Sequence, residues 1–177
     1  MSHYSNDLLS QARHLAGRDK SRPQQANLRR AVSAAYYGVF HLLCEDAAGI
    51  FIGKGPKNAK MRQLMMRAFI HTQMREACDI VLSSNPSPLF REQFALLNPL
   101  ASVELQRLAQ AFKELQLQRH RADYDLSNSF TRAEVIPLLD LAEQARDDWN
   151  TLKRHNYELA RFFSLLLLLR GSLNARR

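Results

Sequence analysis

The sequence LQRLAQAFKELQLQRHRADYDL, residues 105–126, decides the fold class of this chain. Its apolar positions recur at intervals of three and four, which is the spacing that lines up one face of an α-helix. The members of this stripe are Leu105, Leu108, Phe112, Leu115, Arg119, Ala122 and Leu126. Arg119 is the only charged member, and a guanidinium cannot lose its proton and is costly to bury without a partner. We therefore expect Arg119 to meet a carboxylate, to reach a wet cleft or to lie at a subunit interface.

Length and composition extend this helical prediction to the whole chain. The 177 residues are near the size of one domain, and six glycines and six prolines are few for this length. Long stretches rich in Leu, Ala, Gln, Arg and Glu favour helix over strand. We expect a single all-α domain over residues 1–177, an up-and-down bundle of four to five antiparallel helices. Its core spans residues 24–155, and a C-terminal apolar helix follows over residues 156–170.

Local signals place the helix boundaries. The predicted helices span residues 6–17, 24–48, 59–82, 100–124 and 131–155. Gly49 is the expected stop of the second helix, and the proline-rich segment 83–88 ends the third, followed by one short turn near residues 90–97. Thr131 and Glu134 match a capping box, in which each side chain accepts a hydrogen bond from the backbone N–H of the other. This box marks the start of the fifth helix.

Cysteine use and hydropathy bear on the compartment. Cys44 and Cys78 both lie in apolar helical stretches, which argues against a disulfide-stapled secreted module and fits a reducing cytoplasm. The first residues show no basic region followed by an apolar one, so no signal peptide is expected. The longest apolar run, residues 162–169, is far shorter than the ~20 residues that a membrane span requires. We expect a soluble cytoplasmic protein with no membrane partner.

The charge of the chain is strongly basic, at +8 from 25 Lys and Arg against 17 Asp and Glu. No acidic residue occurs from Ala47 to Arg75, a stretch that holds Lys54, Lys57, Lys60, Arg62, Arg67 and Arg75. A concentration of positive charge indicates the kind of partner that a protein binds rather than its fold. A polyanion such as RNA is the expected partner. A solvated basic face without a ligand is the alternative.

Two segments of the chain resemble a known superfamily. The first is LRRAVSAAYYGVFH at residues 28–41, and the second is RHRADYD at residues 119–125. In their order and separation they are similar to the HEPN superfamily, in particular to its small stand-alone prokaryotic branch, over roughly residues 24–152. The resemblance implies a helical bundle that forms a homodimer. It also implies one of three activities, because members act as metal-independent endoribonucleases, pair with a small nucleotidyltransferase in toxin–antitoxin or defence modules, or bind RNA.

The ribonuclease members of that superfamily carry an arginine that precedes a histidine by five or six residues. Arg119 matches the arginine, and His120 matches the polar residue often found beside it. The histidine is missing, because Tyr124 and Asp125 occupy the two positions where it is expected. RNA cleavage through the 2′-hydroxyl needs a base that works near neutrality, and tyrosine, with an ordinary pKa of ~10, is a poor one. Arg119 can still hold a phosphate with two hydrogen bonds, so this motif suits binding better than cleavage.

The leading hypothesis is a homodimer that binds RNA or a nucleotide. Arg119 and Arg121 hold phosphates in this hypothesis, while Tyr124 stacks on a base or forms a hydrogen bond and Asp123 orients Arg119. The candidate RNA-binding residues are Arg119, Arg121, Asp123, Tyr124, Tyr37 and His41. A purely structural explanation is an ordinary ion pair between Arg119 and Asp123, four residues apart on one helix, which contributes ~0.3 kcal/mol to stability.

Two alternative functions are also open, one at the same cleft and one at another part of the chain. A metal-independent endoribonuclease takes Arg119 and His120 as its catalytic residues, with His41 as a further proton carrier. A non-catalytic interaction module docks a nucleotidyltransferase partner on its apolar run, which needs a cover from either the bundle or a second chain. That run comprises Phe162, Phe163 and Leu165–Leu169. The other histidines form no HxxxH pair with a supporting carboxylate, so we expect no metal site and no cofactor.

Overall fold

The computed structural model describes residues 3–19 and 21–174, and within these ranges the chain forms helices and no strand. The all-α prediction is therefore confirmed. The α-helices are α1 (His3–Gly17), α2 (Gln25–Ile52), α3 (Ala59–Met66), α4 (His71–Leu82), α5 (Arg91–Leu97), α6 (Val103–Tyr124), α7 (Arg132–His155) and α8 (Tyr157–Asn174). Three short 3₁₀-helices, Pro56–Asn58, Pro88–Phe90 and Pro99–Ala101, lie in the connections. None of the helices in these ranges has the length and apolar character that crossing a membrane requires.

The described ranges hold eight α-helices rather than the predicted four to five. The predicted third helix, residues 59–82, is divided into α3 and α4 by a turn at Arg67 and Ala68 and by extended backbone at Ile70. Phe69 lies within this break and is 6 % exposed, whereas α3 buries none of its own residues. Burial of this aromatic side chain outweighs the local helix propensity, because tertiary packing supplies most of the stability of a helix.

The C-terminus of α2 lies beyond its predicted position. The helix continues through Gly49, the predicted stop, and ends at Ile52. Gly53 then adopts a left-handed φ of +85°, which suits a glycine directly after a helix, and its N–H bonds to the Gly49 carbonyl oxygen at 3.0 Å. The prediction was wrong about which glycine ends the helix, because either one can do so and only the backbone conformation distinguishes them.

The stripe of α6 is buried except at its end. The helix begins at Val103 rather than at residue 100, because Ser102 caps it, with its Oγ accepting a hydrogen bond from Leu105 N–H at 3.2 Å. The buried apolar members of the stripe are Leu105, Leu108, Phe112, Leu115 and Ala122. Leu126 is 83 % exposed, contrary to the pattern, because it lies beyond the last residue of the helix.

The capping box at the start of α7 is confirmed. Glu134 Oε2 accepts a hydrogen bond from Thr131 N–H at 2.8 Å, and Glu134 N–H donates to Thr131 Oγ1 at 3.3 Å. The helix begins at Arg132, directly after Thr131. The Thr131 N–H stabilises the ionised carboxylate and so lowers the pKa of Glu134. The box therefore stays formed at mildly acidic pH.

The chain forms two compact units, each built from two segments. Unit one comprises the described residues within Met1–Leu42 and Ala111–Arg146. Unit two comprises those within Leu43–Gln110 and Asp147–Arg177. The helices α2, α6 and α7 therefore contribute residues to both units. The assignment of residues 1–177 to one domain stays a prediction.

Unit one fixes α1 onto α2 and α7. Ser5 Oγ on α1 donates a hydrogen bond to the Gly38 carbonyl oxygen on α2 at 2.7 Å. The helices approach closely at Gly38, because a Cβ there would lie 2.8 Å from Leu9 Cδ2 and the Leu9 side chain would have to shift. Arg13 on α1 donates two hydrogen bonds of 2.8 Å to the Glu143 carboxylate on α7. These contacts hold α1 in place beside the first part of α2.

Unit two covers the apolar run of α8. The helix α4 packs against α8, and Phe162, Phe163, Leu166 and Leu167 are buried. The ring contacts of this cover are Phe90–Phe162, Phe94–Phe162 and Trp149–Phe163, with centroids 6.1 to 6.3 Å apart. Only Leu165, at 40 % exposed, reaches solvent substantially. The choice of this run as a docking surface for a partner was therefore wrong, because helices of the same unit supply its cover.

Candidate functional site

The C-terminal end of α6 is held by an arginine from α2. Arg29 donates hydrogen bonds to the carbonyl oxygens of Ala122 at 2.8 Å and Asp125 at 2.9 Å, and a further one to that of Asn128. The last carbonyl groups of a helix have no partner within the helix and attract cations. The Arg29 guanidinium also lies 5.7 Å from the centroid of the Phe130 ring. These contacts fix this end of α6 against α2.

Arg119 has polar partners on both helices. Its Nη2 donates a hydrogen bond to the Tyr37 hydroxyl oxygen at 2.6 Å. Its Nε lies 2.7 Å from Asp123 Oδ2, but this N–H is not aimed at an acceptor, so the contact is an ion pair without a hydrogen bond. The Arg119 side chain is 18 % exposed. Of the three environments expected for Arg119, the structure shows the carboxylate.

Three tyrosine rings surround the same guanidinium. The Arg119 Cζ lies 5.3 Å from the ring centroid of Tyr37, 5.6 Å from that of Tyr124 and 6.0 Å from that of Tyr36. A cation at these distances is attracted to an aromatic ring. Burial lowers the pKa of Arg119, but the Tyr37 hydroxyl and the Asp123 carboxylate outweigh it and raise the pKa above its ordinary value. Arg119 is therefore a permanent cation within a largely aromatic shell.

Asp123 makes a second connection between α6 and α2. Its Oδ1 accepts a hydrogen bond from Ser33 Oγ at 2.5 Å, while its Oδ2 faces Arg119. A carboxylate has about four lone-pair positions, so these two partners leave acceptor capacity unused. The Asp123 side chain is 24 % exposed. The remaining capacity is available to a ligand.

A cleft of about 810 Å³ opens beside this cluster. Its lining comes from α1, α2, the end of α6 and the turn that follows α6, and comprises Leu8, Gln11, Leu15, Ala26, Arg29, Arg30, Ser33, Ala34, Tyr37, Ala122, Asp123, Tyr124 and Leu126. A largely apolar lining with a few convergent polar groups is typical of sites for small ligands. Arg119 is not among the described lining residues, but it contacts Tyr37, Asp123 and Tyr124, which are.

The structure brings together four of the predicted site residues, Arg119, Tyr37, Asp123 and Tyr124. His120 is exposed, and its ring centroid lies 4.9 Å from that of Tyr124. It therefore reaches the edge of the cluster through one aromatic contact. The predicted pairing of Arg119 with Asp123 across one helical turn is observed.

The two remaining predicted residues lie at the margin of the cluster. The His41 ring centroid is 6.2 Å from that of Tyr37, one turn along α2. The Arg121 guanidinium lies 5.7 Å from the Phe130 ring centroid and donates a hydrogen bond to Gln118 Oε1 at 2.9 Å. Arg121 is thus directed toward Phe130, and neither residue is among the described lining of the cleft.

Three residues of α2 that the sequence did not single out belong to the site. These are Arg29, Arg30 and Ser33. Arg30, Ser33 and Tyr37 are spaced by three and four, so their common helix face is a signal that could have identified them. The role of Arg29 had no such signal, because its partners are backbone carbonyl groups that leave no trace in the side-chain pattern.

The basic stretch of residues 54–75 belongs to unit two, and two of its cations make polar contacts within that unit. Lys54 Nζ lies 3.4 Å from Asp46 Oδ1. Arg62 donates hydrogen bonds to the carbonyl oxygens of Gly53 at 2.7 Å and Gly55 at 2.8 Å. Part of this charge therefore stabilises the loop between α2 and α3.

Comparisons with known proteins add no homologue to this description. No protein-family model, curated protein or solved structure matches the chain. In the part of the chain that the structure describes, no group of three or more His, Cys, Asp or Glu side chains could hold a metal ion. The function is therefore argued from the geometry of the cleft and its neighbours.

Proposed function

We propose that the cleft of unit one binds RNA or a nucleotide. The observation that carries this proposal is Tyr124, which is 64 % exposed at the cleft while the Arg119 guanidinium lies 5.6 Å from its ring. An exposed aromatic ring beside a cation is a surface on which an unpaired base can stack. Such stacking contributes about 1–3 kcal/mol per base.

Arg119 supports this function mainly by holding the site together. Its contacts with Tyr37 and Asp123 fix two lining residues of the cleft, and its positive charge lies beside the ring that receives the base. The Asp123 carboxylate offsets part of that charge, so Arg119 does not need to contact a phosphate. The net charge of +8 adds a long-range attraction for a polyanion.

The resemblance to the HEPN superfamily extends the proposal to the oligomeric state and the protein partner. It rests on the segments 28–41 and 119–125, and the contacts of Tyr37 with Arg119 and of Ser33 with Asp123 join those two segments, which supports it. We therefore propose a HEPN-like helical bundle that acts as a cytoplasmic homodimer. The same resemblance favours a toxin–antitoxin or defence module with a nucleotidyltransferase partner, docked on a surface other than the buried run of α8.

Metal-independent RNA cleavage is the second candidate function, and the contact between His120 and Tyr124 favours it. Here His120 takes the proton of a ribose 2′-hydroxyl, whose oxygen attacks the adjacent phosphorus and displaces the 5′-oxygen of the next nucleotide. Arg119 offsets the developing negative charge. The cyclic phosphate and the free 5′-hydroxyl are the products, and the proton that His120 accepted returns to the leaving oxygen.

A single assay separates binding from cleavage. Labelled transfer RNA and single-stranded RNA are incubated in chelator with the wild-type protein, and each mixture is run on native and denaturing gels. We expect a shift of single-stranded RNA on the native gel without cleavage on the denaturing gel. Cleavage that disappears in both Arg119→Ala and His120→Ala would instead support the ribonuclease.

The assay compares substitutions at two exposed tyrosines, one at the cleft and one outside it. Tyr124→Ala should weaken RNA binding about tenfold or more, because the stacking surface is lost, whereas Tyr124→Phe should retain most of it. Tyr157, 49 % exposed at the start of α8, supplies the control, and Tyr157→Ala should bind as wild type does. Absence of any RNA or nucleotide binding, or equal loss in both alanine variants, would contradict the proposal.

A further inference from the structure

The charges around the cleft are unequally compensated. Arg29 is committed to the carbonyl groups at the end of α6, and Arg119 is committed to Asp123 and Tyr37. Arg30 also lines the cleft and is exposed, and its side chain has no hydrogen bond or ion pair within the described part of the chain. Arg30 is therefore the lining guanidinium that is available to a ligand, with a planar fork that matches the geometry of a phosphate.

A carboxylate with further acceptor capacity, Asp123, lines the same cleft as this cation. Arg30 and Ser33 are three residues apart on α2, so they are neighbours on one face, separated by about one turn, ~5 Å. Ser33 in turn donates to Asp123 Oδ1, which places that carboxylate beside the same face of α2. The ion pair with Arg119 at 2.7 Å offsets the charge of Asp123, so the carboxylate does not exclude an anion from the cleft.

From these positions we infer that Arg30 holds a phosphate of the ligand and that Asp123 accepts a hydrogen bond from a ribose hydroxyl. The inference rests on the proposed function and names its ligand class, ribonucleotide units in preference to deoxyribonucleotide units. A carboxylate is a common partner of ribose hydroxyls in nucleotide sites, and the 2′-hydroxyl is the group that distinguishes RNA from DNA. Ser33, which donates to Asp123, lies about one helical turn from Arg30, and this separation is comparable with that between the phosphate and the ribose of one nucleotide.

The remaining lining fits the third part of such a ligand. Leu8, Leu15 and Ala34 give the cleft an apolar wall, and the Tyr124 ring lies at the same cleft. A base is planar and largely apolar on its faces, so it can lie against this wall or on this ring. The cleft thus offers one group for each chemical part of a ribonucleotide, a cation for phosphate, an acceptor for ribose and an apolar or aromatic surface for the base.

The test compares three fluorescent oligonucleotides of one sequence made of A, C and G only, as RNA, DNA and 2′-O-methyl RNA. Binding to the full chain is followed by fluorescence anisotropy. We expect the wild-type protein to bind RNA about tenfold more tightly than DNA or 2′-O-methyl RNA, because only the free 2′-hydroxyl can donate to Asp123. Asp123→Ala should bind RNA and DNA equally. The comparison of ligands on the wild-type protein keeps the test valid if this variant folds poorly.

The role of Arg30 is tested on the same oligonucleotides. Arg30→Ala should weaken binding of RNA about tenfold and reduce the slope of log affinity against log salt by about one, with Arg30→Lys intermediate. Arg91, exposed on α5, supplies the control, and Arg91→Ala should bind as wild type does. Equal affinity of the wild type for RNA and DNA, or wild-type binding by Arg30→Ala, overturns this inference and leaves the proposed function standing. Absence of binding to every oligonucleotide and to free nucleotides instead overturns the proposed function.

Discussion

Two charged clusters in this protein each centre on a carboxylate paired with a cation, and they differ in what surrounds them. In unit two, Asp46 is 5 % exposed and accepts hydrogen bonds from Trp149 Nε1 at 3.0 Å and from Lys153, with Lys54 3.4 Å away. In unit one, Arg119 pairs with Asp123 beside an open cleft. The Asp46 carboxylate is buried among its three partners, whereas the Asp123 side chain is 24 % exposed and the Arg119 cluster includes Tyr124, whose ring is 64 % exposed at the cleft.

The difference shows that a buried charge alone does not identify a functional site. A buried carboxylate with a full set of partners stabilises its surroundings, and removing it leaves those partners unpaired. A charged group whose neighbours line a cleft can instead act on a ligand. We therefore assign Asp46 to the stability of unit two and Arg119 to the candidate site.

The largest expected effect is on stability, in Asp46→Ala. This variant leaves Lys153 and the Trp149 indole N–H without their acceptor, and we expect unfolding in urea to require about 3 kcal/mol less free energy. RNA binding by the folded variant should match the wild type. Glu92→Ala, at an exposed position of α5, is the control and should change stability by less than about 0.5 kcal/mol. A loss no larger than that of the control would remove the distinction between the two clusters.

A smaller effect is expected for Arg29→Ala, which removes the cation at the end of α6. Loss of a cation from a partly buried helix C-terminus costs up to about 2 kcal/mol of stability. Because Arg29 also fixes the end of α6 that bears Asp123 and Tyr124, we expect RNA affinity to fall together with stability. Arg29→Lys should recover part of both. Calorimetric unfolding and anisotropy on the same samples check this, and a stability loss with unchanged affinity would show that Arg29 does not position the site.

The pH dependence of stability sharpens the same comparison. Burial raises the pKa of Asp46, but its hydrogen bonds and charge interactions with Lys153, Lys54 and Trp149 outweigh this and hold the pKa below the ordinary 3.8. The ionised carboxylate therefore stabilises the fold above pH ~4, and this contribution is lost as the pH falls through the lower, folded-state pKa. The difference in urea midpoint between the wild type and Asp46→Asn should be constant from pH 7 to 5 and shrink below about pH 4. A constant difference down to pH 2 would contradict this assignment.

The smallest effect on stability is expected for Tyr124→Ala. The side chain is largely exposed and contributes one ring beside Arg119. We expect the free energy of unfolding to change by less than about 0.5 kcal/mol, although RNA binding falls about tenfold. Chemical denaturation of the variant measures the change in the free energy of unfolding. A large loss of stability would mean that the ring is a structural contact, and a loss of binding could then not be assigned to stacking.

Features that depend on neighbouring residues were predictable from the sequence. The capping box of Thr131 and Glu134 and the pairing of Arg119 with Asp123 each span three or four residues, and both are observed. The all-α class followed from composition and periodicity for the same reason. Each of these features is determined within one or two helical turns, where sequence spacing fixes the distance between side chains.

Features that depend on distant parts of the chain were not predictable. The break between α3 and α4 follows from the burial of Phe69, which sequence spacing does not reveal. The capping of α6 by Arg29 joins positions more than ninety residues apart through backbone oxygens. The cover of the α8 run likewise comes from separate helices, α4 and α5 among them. The candidate site was therefore predicted in part, in its α6 residues and Tyr37. Arg30 and Ser33 share a helix face with Tyr37 that could have identified them, but the role of Arg29 required the structure.

The central claim is that RNA binds at the cleft of unit one rather than at the basic stretch of residues 54–75. Photocrosslinking of single-stranded RNA that contains 4-thiouridine, followed by mass spectrometry of the crosslinked peptides, tests this claim most directly. We predict crosslinks in the peptides that contain Arg30 to Tyr37 and Tyr124, and their loss in Tyr124→Ala. Crosslinks confined to residues 54–75 and unchanged in Tyr124→Ala would contradict the assignment of the site.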